Sequence, residues 1–181
     1  MPAKKNANMR ALILTANGFE DLEVFYPYFR LLEAGIEVDI IGPAKEQIHG
    51  EHGYTLKIGL TFDEVNPDDY GLLILPGGFP DGAPATVRRS KGAQEIAKSF
   101  FANGKPVGVI CHGPYTLVSA GLVKGRRLTS YWHDGVPEEI KAAGGIWEDK
   151  EVVVDGNLVS SRWPPDLPAF MREVMKAIGK K

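Results

Sequence analysis

The chain reads as an α/β domain built on a mostly parallel sheet with helices on both faces, and three features of the sequence predict it. The runs Ala11-Leu12-Ile13-Leu14, Leu72-Leu73-Ile74-Leu75 and residues 106–110 are apolar throughout instead of alternating with polar residues, the pattern of strands buried on both faces. Segments with helical spacing of apolar residues lie between them. Each run gives way to a turn-forming stretch, Asn17-Gly18, Pro76-Gly77-Gly78 and Cys111-His112-Gly113-Pro114 in turn. In open parallel sheets, ligands gather at these carboxyl ends.

The elements follow in order. Residues 20–34 place Leu22, Phe25, Phe29 and Leu32 at helical spacing, with acids in the first turn and Gly35 as the stop; Pro27 predicts a kink or a late start. Residues 36–41 form a second strand, and residues 49–60 alternate like a short hairpin. After Leu75 a long Gly/Pro-rich loop runs to Ala85, and residues 94–102 are helical up to Asn103-Gly104. Beyond the strand at 106–110, residues 114–120 begin with proline and stop before Gly121, the signature of a short helix. Leu128-Thr129-Ser130 is strand-like and residues 138–143 are helical. Residues 152–154 and 158–160 make a hairpin turning at Asp155-Gly156-Asn157, and residues 166–178 close the chain as an amphipathic helix. No repeat or linker divides it: residues 1–8 read as a disordered polar tail and residues 9–181 as one domain.

Composition narrows the function classes. A formal net charge of −2 gives no electrostatic reason to expect nucleic acid or an anionic membrane as partner, so a small-molecule ligand fits better. The single cysteine forms no intrachain disulfide, and there is no Cys-x-x-Cys pair to suggest zinc. With neither a secretory leader nor a segment of membrane-spanning length, the expectation is a cytoplasmic protein.

That cysteine sits where chemistry is expected. Cys111 lies between a buried strand and a helix, with Gly113 supplying backbone freedom and Pro114 fixing the helix start, an arrangement like a nucleophile elbow. A thiol beside the imidazole of His112 and near a helix N-terminus favours the thiolate. Without these neighbours, a free intracellular cysteine would be a small buried hydrophobe. An oxyanion needs two donors; the backbone amides of Gly78 and His112 are the candidates, with Gly77 permitting the turn. Glu20 and Glu23, three residues apart, share a helix face near the crevice, and one of them is expected to share a proton with Cys111. Tyr131 and His133 are candidate pocket residues. His49 and His52 match no metal-ligand pattern, so no metal is expected.

Taken together, Phe19-Glu20-Asp21-Leu22-Glu23, Leu75-Pro76-Gly77-Gly78, Ile110-Cys111-His112-Gly113-Pro114, Ala120-Gly121-Leu122, Gly125-Arg126, Thr129-Ser130-Tyr131, Val153-Val154-Asp155-Gly156-Asn157 and Ser161-Arg162 resemble the PfpI family of the ThiJ/PfpI superfamily over nearly the whole chain. The resemblance implies a flavodoxin-like fold related to class I glutamine amidotransferase domains. It also implies a nucleophile at Cys111 with adjacent His112, a helix-borne glutamate at Glu20 or Glu23, an oxyanion hole using Gly78, and Tyr131 near the pocket. Family activities include intracellular cysteine peptidase, cofactor-free glyoxalase, deglycase and stress protein, with dimers or hexamers as the expected homo-oligomers. One departure stands out. Peptidase-like members carry a glutamate after Pro-Gly-Gly that orients the histidine of a neighbouring subunit, whereas this chain has Ala85 and a longer loop; Asp81 is the available substitute.

The leading expectation is therefore a cofactor-free hydrolase or lyase acting on small reactive carbonyl compounds or glycated adducts in a stress-protection role. The alternatives are a peptidase whose site is completed in an oligomer, and a redox sensor working through oxidation of a low-pKa Cys111.

Overall fold

The computed structural model describes residues 9–180, and the expected tail at 1–8 lies outside the described residues. The chain runs β1 (Arg10–Leu14), α1 (Asp21–Glu33), β2 (Glu37–Ile41), β3 (Gln47–His49), β4 (Thr55–Lys57), β5 (Leu72–Leu75), α2 (Ala83–Arg89), α3 (Lys91–Ala102), β6 (Val107–Ile110), α4 (Pro114–Ser119), β7 (Arg127–Leu128), α5 (Val136–Ala142), β8 (Ile146–Trp147), β9 (Val152–Asp155), β10 (Leu158–Ser161) and α6 (Leu167–Ala177). Six strands form one sheet in the order β2-β1-β5-β6-β10-β9. The first five are parallel and β9 returns antiparallel to β10, as the Asp155-Gly156-Asn157 turn predicts. Every residue of β5 and β6 is buried, which is why both strands read as unbroken apolar runs.

Helices α1 and α6 pack along one face, and α3 and α4 along the other. The apolar stripe of α6, Phe170, Met171, Val174 and Met175, is fully buried. Gly108 in β6 makes room for it: a Cβ there would lie 2.8 Å from the Phe170 ring and 2.8 Å from Ile74. Burying such side chains contributes ~1.5–3 kcal/mol each.

Several boundaries differ from the sequence reading for identifiable reasons. The stretch after Pro76-Gly77-Gly78 is not loop as far as Ala85, because Pro84 stands in the first turn of α2, where its missing N–H costs nothing. Helix α1 neither starts late nor stops at Pro27, which sits inside it. The strand expected at 128–130 is shorter, since Thr129 N donates to the Ser160 hydroxyl (2.9 Å) and leaves the ladder. Its partner β8 has only two residues and escaped the reading.

Strand order reverses between β1 and β5, and the segments following β1, β5, β6 and β10 meet at their common carboxyl end. The elbow after β6 is held by tight backbone contact. A Cβ on Gly113 would overlap the Leu75 carbonyl oxygen at the end of β5. Gly113→Ala is therefore expected to destabilise the domain by ~1–3 kcal/mol, seen as a fall in melting temperature by calorimetry together with slower alkylation of Cys111. An unchanged melting temperature would show that the elbow tolerates a side chain.

Candidate active site

Cys111 has a φ of 62°, a left-handed conformation that a side-chain-bearing residue adopts only when its surroundings impose it. Two strand-end hydrogen bonds do so: Cys111 N donates to Ser161 O (3.2 Å), and Tyr131 N donates to Cys111 O (3.0 Å). The turn leaves the thiol 8% exposed at a cavity of about 270 Å³ lined by Glu20, Glu23, Glu51, Gly78, Pro80, Cys111, His112, Tyr131, Asp134, Trp163 and Pro164.

His112 is buried with its Nδ1 3.2 Å from Cys111 Sγ. Its Nε2 is 2.9 Å from Asp134 Oδ2. A carboxylate only accepts, so Nε2 carries the hydrogen and Nδ1 is left to accept one from sulfur. Burial lowers the imidazole pKa below its ordinary 6.5, opposed by the Asp134 carboxylate, so the ring is neutral at pH 7. Asp134 is itself placed by a φ of 59° and by Tyr115 Oη, which donates to its carbonyl (2.5 Å).

Of the two glutamates, the fold brings Glu23 to the thiol. Its Oε2 accepts from Gly77 N at 2.7 Å, and its Oε1 is buried without a hydrogen-bond partner among the described residues. A Cβ on Gly77 would stand 2.8 Å from Glu23 Oε2 and 2.9 Å from Cys111 Sγ, so only glycine lets the carboxyl and thiol approach. Burial pushes Glu23 up from its ordinary 4.5 to about 8, with Glu20 adding repulsion. Glu20 instead caps α1, accepting from Leu22 N (3.1 Å), and faces His52 (2.9 Å).

The expected low-pKa thiolate is corrected by this geometry. Burial, reinforced by the Glu23 carboxyl, holds the Cys111 thiol well above its ordinary range, outweighing the hydrogen bond from the His112 amide. Helix α4 has only six residues and begins three positions past the sulfur, too short and too far to offset desolvation.

Gly78 pairs with Phe19 in an isolated antiparallel bridge flanked by Glu20 N to Gly77 O (3.2 Å) and Phe79 N to Gly18 O (3.0 Å). In that register the Gly78 amide points away from Phe19, and Gly78 lines the cavity. Tyr131 is in the wall, its ring 5.1 Å from the His112 ring. His133 is not: it is exposed, stacked outside against Tyr131 and Trp132. Trp163 also joins the wall.

The orienting acid was also misplaced by the sequence reading. Ala85 is buried in α2 and Asp81 is exposed in a turn; the carboxylate that meets His112 Nε2 is Asp134, of the same chain. The available signal was Asp134-Gly135, a turn pair three residues beyond Tyr131. Glu51 was missed because no motif in the sequence marks it; burial, with Glu20 adding repulsion, raises its pKa from 4.5 to about 7.

Comparison with known proteins assigns the family. The DJ-1/PfpI family model matches residues 9–177. The chain belongs to the DJ-1/PfpI family. It is 54% identical to Deglycase PfpI of Pyrococcus furiosus, covering 94% of this chain and 99% of that one, and 38% identical to the putative cysteine protease YraA of Bacillus subtilis, covering 92% and 96%. Among solved structures, the two-domain protein of Anabaena variabilis, with DJ-1/ThiJ/PfpI-like and ferritin-like domains, superposes with a TM-score of 0.90 at 29% identity, over 96% of this chain and 49% of that one. Schizosaccharomyces pombe DJ-1 shares the fold at a TM-score of 0.83 and 22% identity, over 96% and 93% of the two chains. Among the described residues, no helix of this family member is long and apolar enough to cross a membrane.

The Glu23 carboxyl makes stability depend on pH. The fold accommodates its protonated form, so its contribution is complete below pH 4.5 and is lost as pH rises toward about 8. Urea denaturation from pH 5 to 8 is expected to show wild type losing up to ~1.4 kcal/mol per pH unit relative to Glu23→Gln. Parallel curves for the two proteins would mean that Glu23 is ionised in the fold.

Proposed function

We propose that this family member is a cysteine-dependent enzyme that acts, without a cofactor, on small reactive carbonyl compounds or the adducts they form with amines. The observation that carries the reading is a thiol 3.2 Å from an imidazole nitrogen whose far side meets Asp134, at the end of a cavity of about 270 Å³. That volume suits a compact molecule better than an extended polypeptide.

Because Cys111 rests as a thiol, its attack is coupled to proton transfer. Sγ bonds to the carbonyl carbon while its proton passes to His112 Nδ1, and Asp134 stabilises the imidazolium that forms. The carbonyl oxygen takes up negative charge between the Gly78 and His112 amides. With a 2-oxoaldehyde such as methylglyoxal, the product is a thiohemiacetal. Removing the proton from its carbinol carbon gives an enediol, and returning a proton to the neighbouring carbon gives the thioester of a 2-hydroxy acid. Water then cleaves the thioester, releasing lactate and restoring the thiol. Glu23, held protonated at neutral pH, is the group placed to give and retake protons at the substrate oxygens. From a glycated amine, the same adduct forms as the amine departs with the proton held on His112.

A peptidase reading rests on the relative named a putative cysteine protease and on the Cys111-His112-Asp134 arrangement, which needs no acid from a second chain. We further infer a homo-oligomer, supported by the exposed apolar side chains of Leu22 (55%), Phe29 (61%) and Tyr54 (64%) around α1.

Two measurements test the reading. Cys111→Ser is expected to abolish lactate formation from methylglyoxal; wild-type turnover in that variant, or turnover of unfolded peptides but not of methylglyoxal in the parent, would overturn it. Asp134→Asn is expected to lower kcat roughly 10²–10⁴-fold with KM little changed, because an amide that donates to Nε2 turns the imidazole to the wrong tautomer. The acidic limb of the parent's kcat/KM profile should lie below 6.5, where His112 protonates.

A further inference from the structure

Glu20 and Glu51, in the wall of the same cavity, converge with His52, and the chemistry above does not use the three together. The ligand atoms of Glu20, Glu51 and His52 lie within 4.8 Å of one another. Glu20 comes from the start of α1, while Glu51 and His52 come from the loop joining β3 and β4. Asp21 fastens that loop to the helix, its carboxylate accepting from His52 N and Tyr54 N at 2.9 Å each. There is no room for another arrangement, since a Cβ on the preceding Gly50 would overlap the Asp21 carboxylate. The Glu51 N–H in turn donates to Phe19 O (2.8 Å). The fold therefore sets where the three residues stand, and within the cluster Glu20 Oε2 and His52 Nε2 meet at 2.9 Å.

Their chemistry favours a cation over any other occupant. Two carboxyl groups, with 9% and 17% of their side chains exposed, face each other with a single imidazole as counter-charge. No lysine or arginine lines this cavity. A second feature of the cavity points to an occupant: Glu23, wholly buried in its wall, keeps Oε1 without a hydrogen-bond partner among the described residues. Buried polar oxygens are satisfied in the great majority of proteins, and a water held at the cluster is a hydrogen-bond partner for such an atom.

We propose that Glu20, Glu51 and His52 form a binding site for one divalent cation of the zinc type at the mouth of the Cys111 cavity. One imidazole and two carboxylates suit such borderline metals, whereas magnesium prefers oxygen and water alone. Three protein ligands leave a coordination position open. The site is separate from the nucleophile, so its existence does not depend on the reaction assigned to Cys111.

Zinc binding is best read in the Cys111→Ser protein, which removes the thiol as a competing ligand and is inert under the proposed reaction. Isothermal titration of this protein with Zn²⁺ is expected to give one saturable site, with Mg²⁺ binding far more weakly. Adding Glu51→Gln or His52→Ala should each weaken Zn²⁺ at least tenfold, while His49→Ala, outside the cluster, leaves it unchanged. His52→Ala keeps the backbone bond to Asp21, and melting curves check that each protein is folded. Absence of a saturable site, or an affinity left unchanged by Glu51→Gln or His52→Ala, overturns the proposal. A zinc site in a protein that fails to turn over methylglyoxal would leave this inference standing and refute only the reaction.

Discussion

The left-handed backbone at Cys111 is the constraint on which the site depends. It turns the chain sharply enough that sulfur leaves the sheet toward the cavity while the His112 side chain remains beside it. Nothing local in Cys111 favours that conformation, which costs ~1–3 kcal/mol. It is paid for by neighbours: Ser161 at the end of β10, Tyr131 after β7, and the Leu75 carbonyl, against which only glycine fits at position 113. The parallel sheet thus supplies the strand ends, and the strand ends supply the strain.

A second constraint is where the protons reside. Burial raises both Cys111 and Glu23 and lowers His112, so each of the three groups rests in its neutral form at pH 7. Asp134 is the carboxylate in direct contact with them, and it faces the imidazole on the side away from sulfur. Under the proposed reaction, charge appears at the thiol only as a substrate carbonyl accepts it, with the His112 and Gly78 amides nearby. Such a site differs from one that stores a thiolate: it limits oxidation of the resting sulfur, since the thiolate is the form oxidants attack. The buried, proton-bearing thiol therefore weighs against a resting redox sensor and for a nucleophile activated on demand.

Much of this was legible in the sequence because it depends on local pattern. Unbroken apolar runs marked β1, β5 and β6, turn residues marked their carboxyl ends, and Cys111-His112-Gly113-Pro114 marked the elbow. What remained hidden depends on contacts between distant segments. Glu20 and Glu23 share a helix face, and spacing alone does not separate them; the difference is that position 23 faces Gly77 after β5 while position 20 sits at the cap and faces the β3–β4 loop. His133 and Asp134 are adjacent, and the left-handed turn at 134 sends one outward and the other to His112. The thiol's pKa misled for the same reason: a helix dipole is visible in sequence, while desolvation is a property of the assembled wall.

Asp134 places the carboxylate beside His112 within the chain itself. If the orienting carboxylate came from a second subunit, dissociation would remove it and histidine would lose its tautomer. Here His112, Asp134 and the Tyr115 hydroxyl that holds the Asp134 carbonyl all belong to one chain. Assembly through the apolar face of α1 would then serve stability by covering Leu22 and Phe29, and the proton path would not depend on it. The same separation reaches the cavity mouth, where Glu20, Glu51 and His52 also come from a single chain. Thiol, imidazole, Asp134 and the proposed cation site thus lie within one chain, brought together from the ends of β1 and β6 and from the segments that follow β3 and β7.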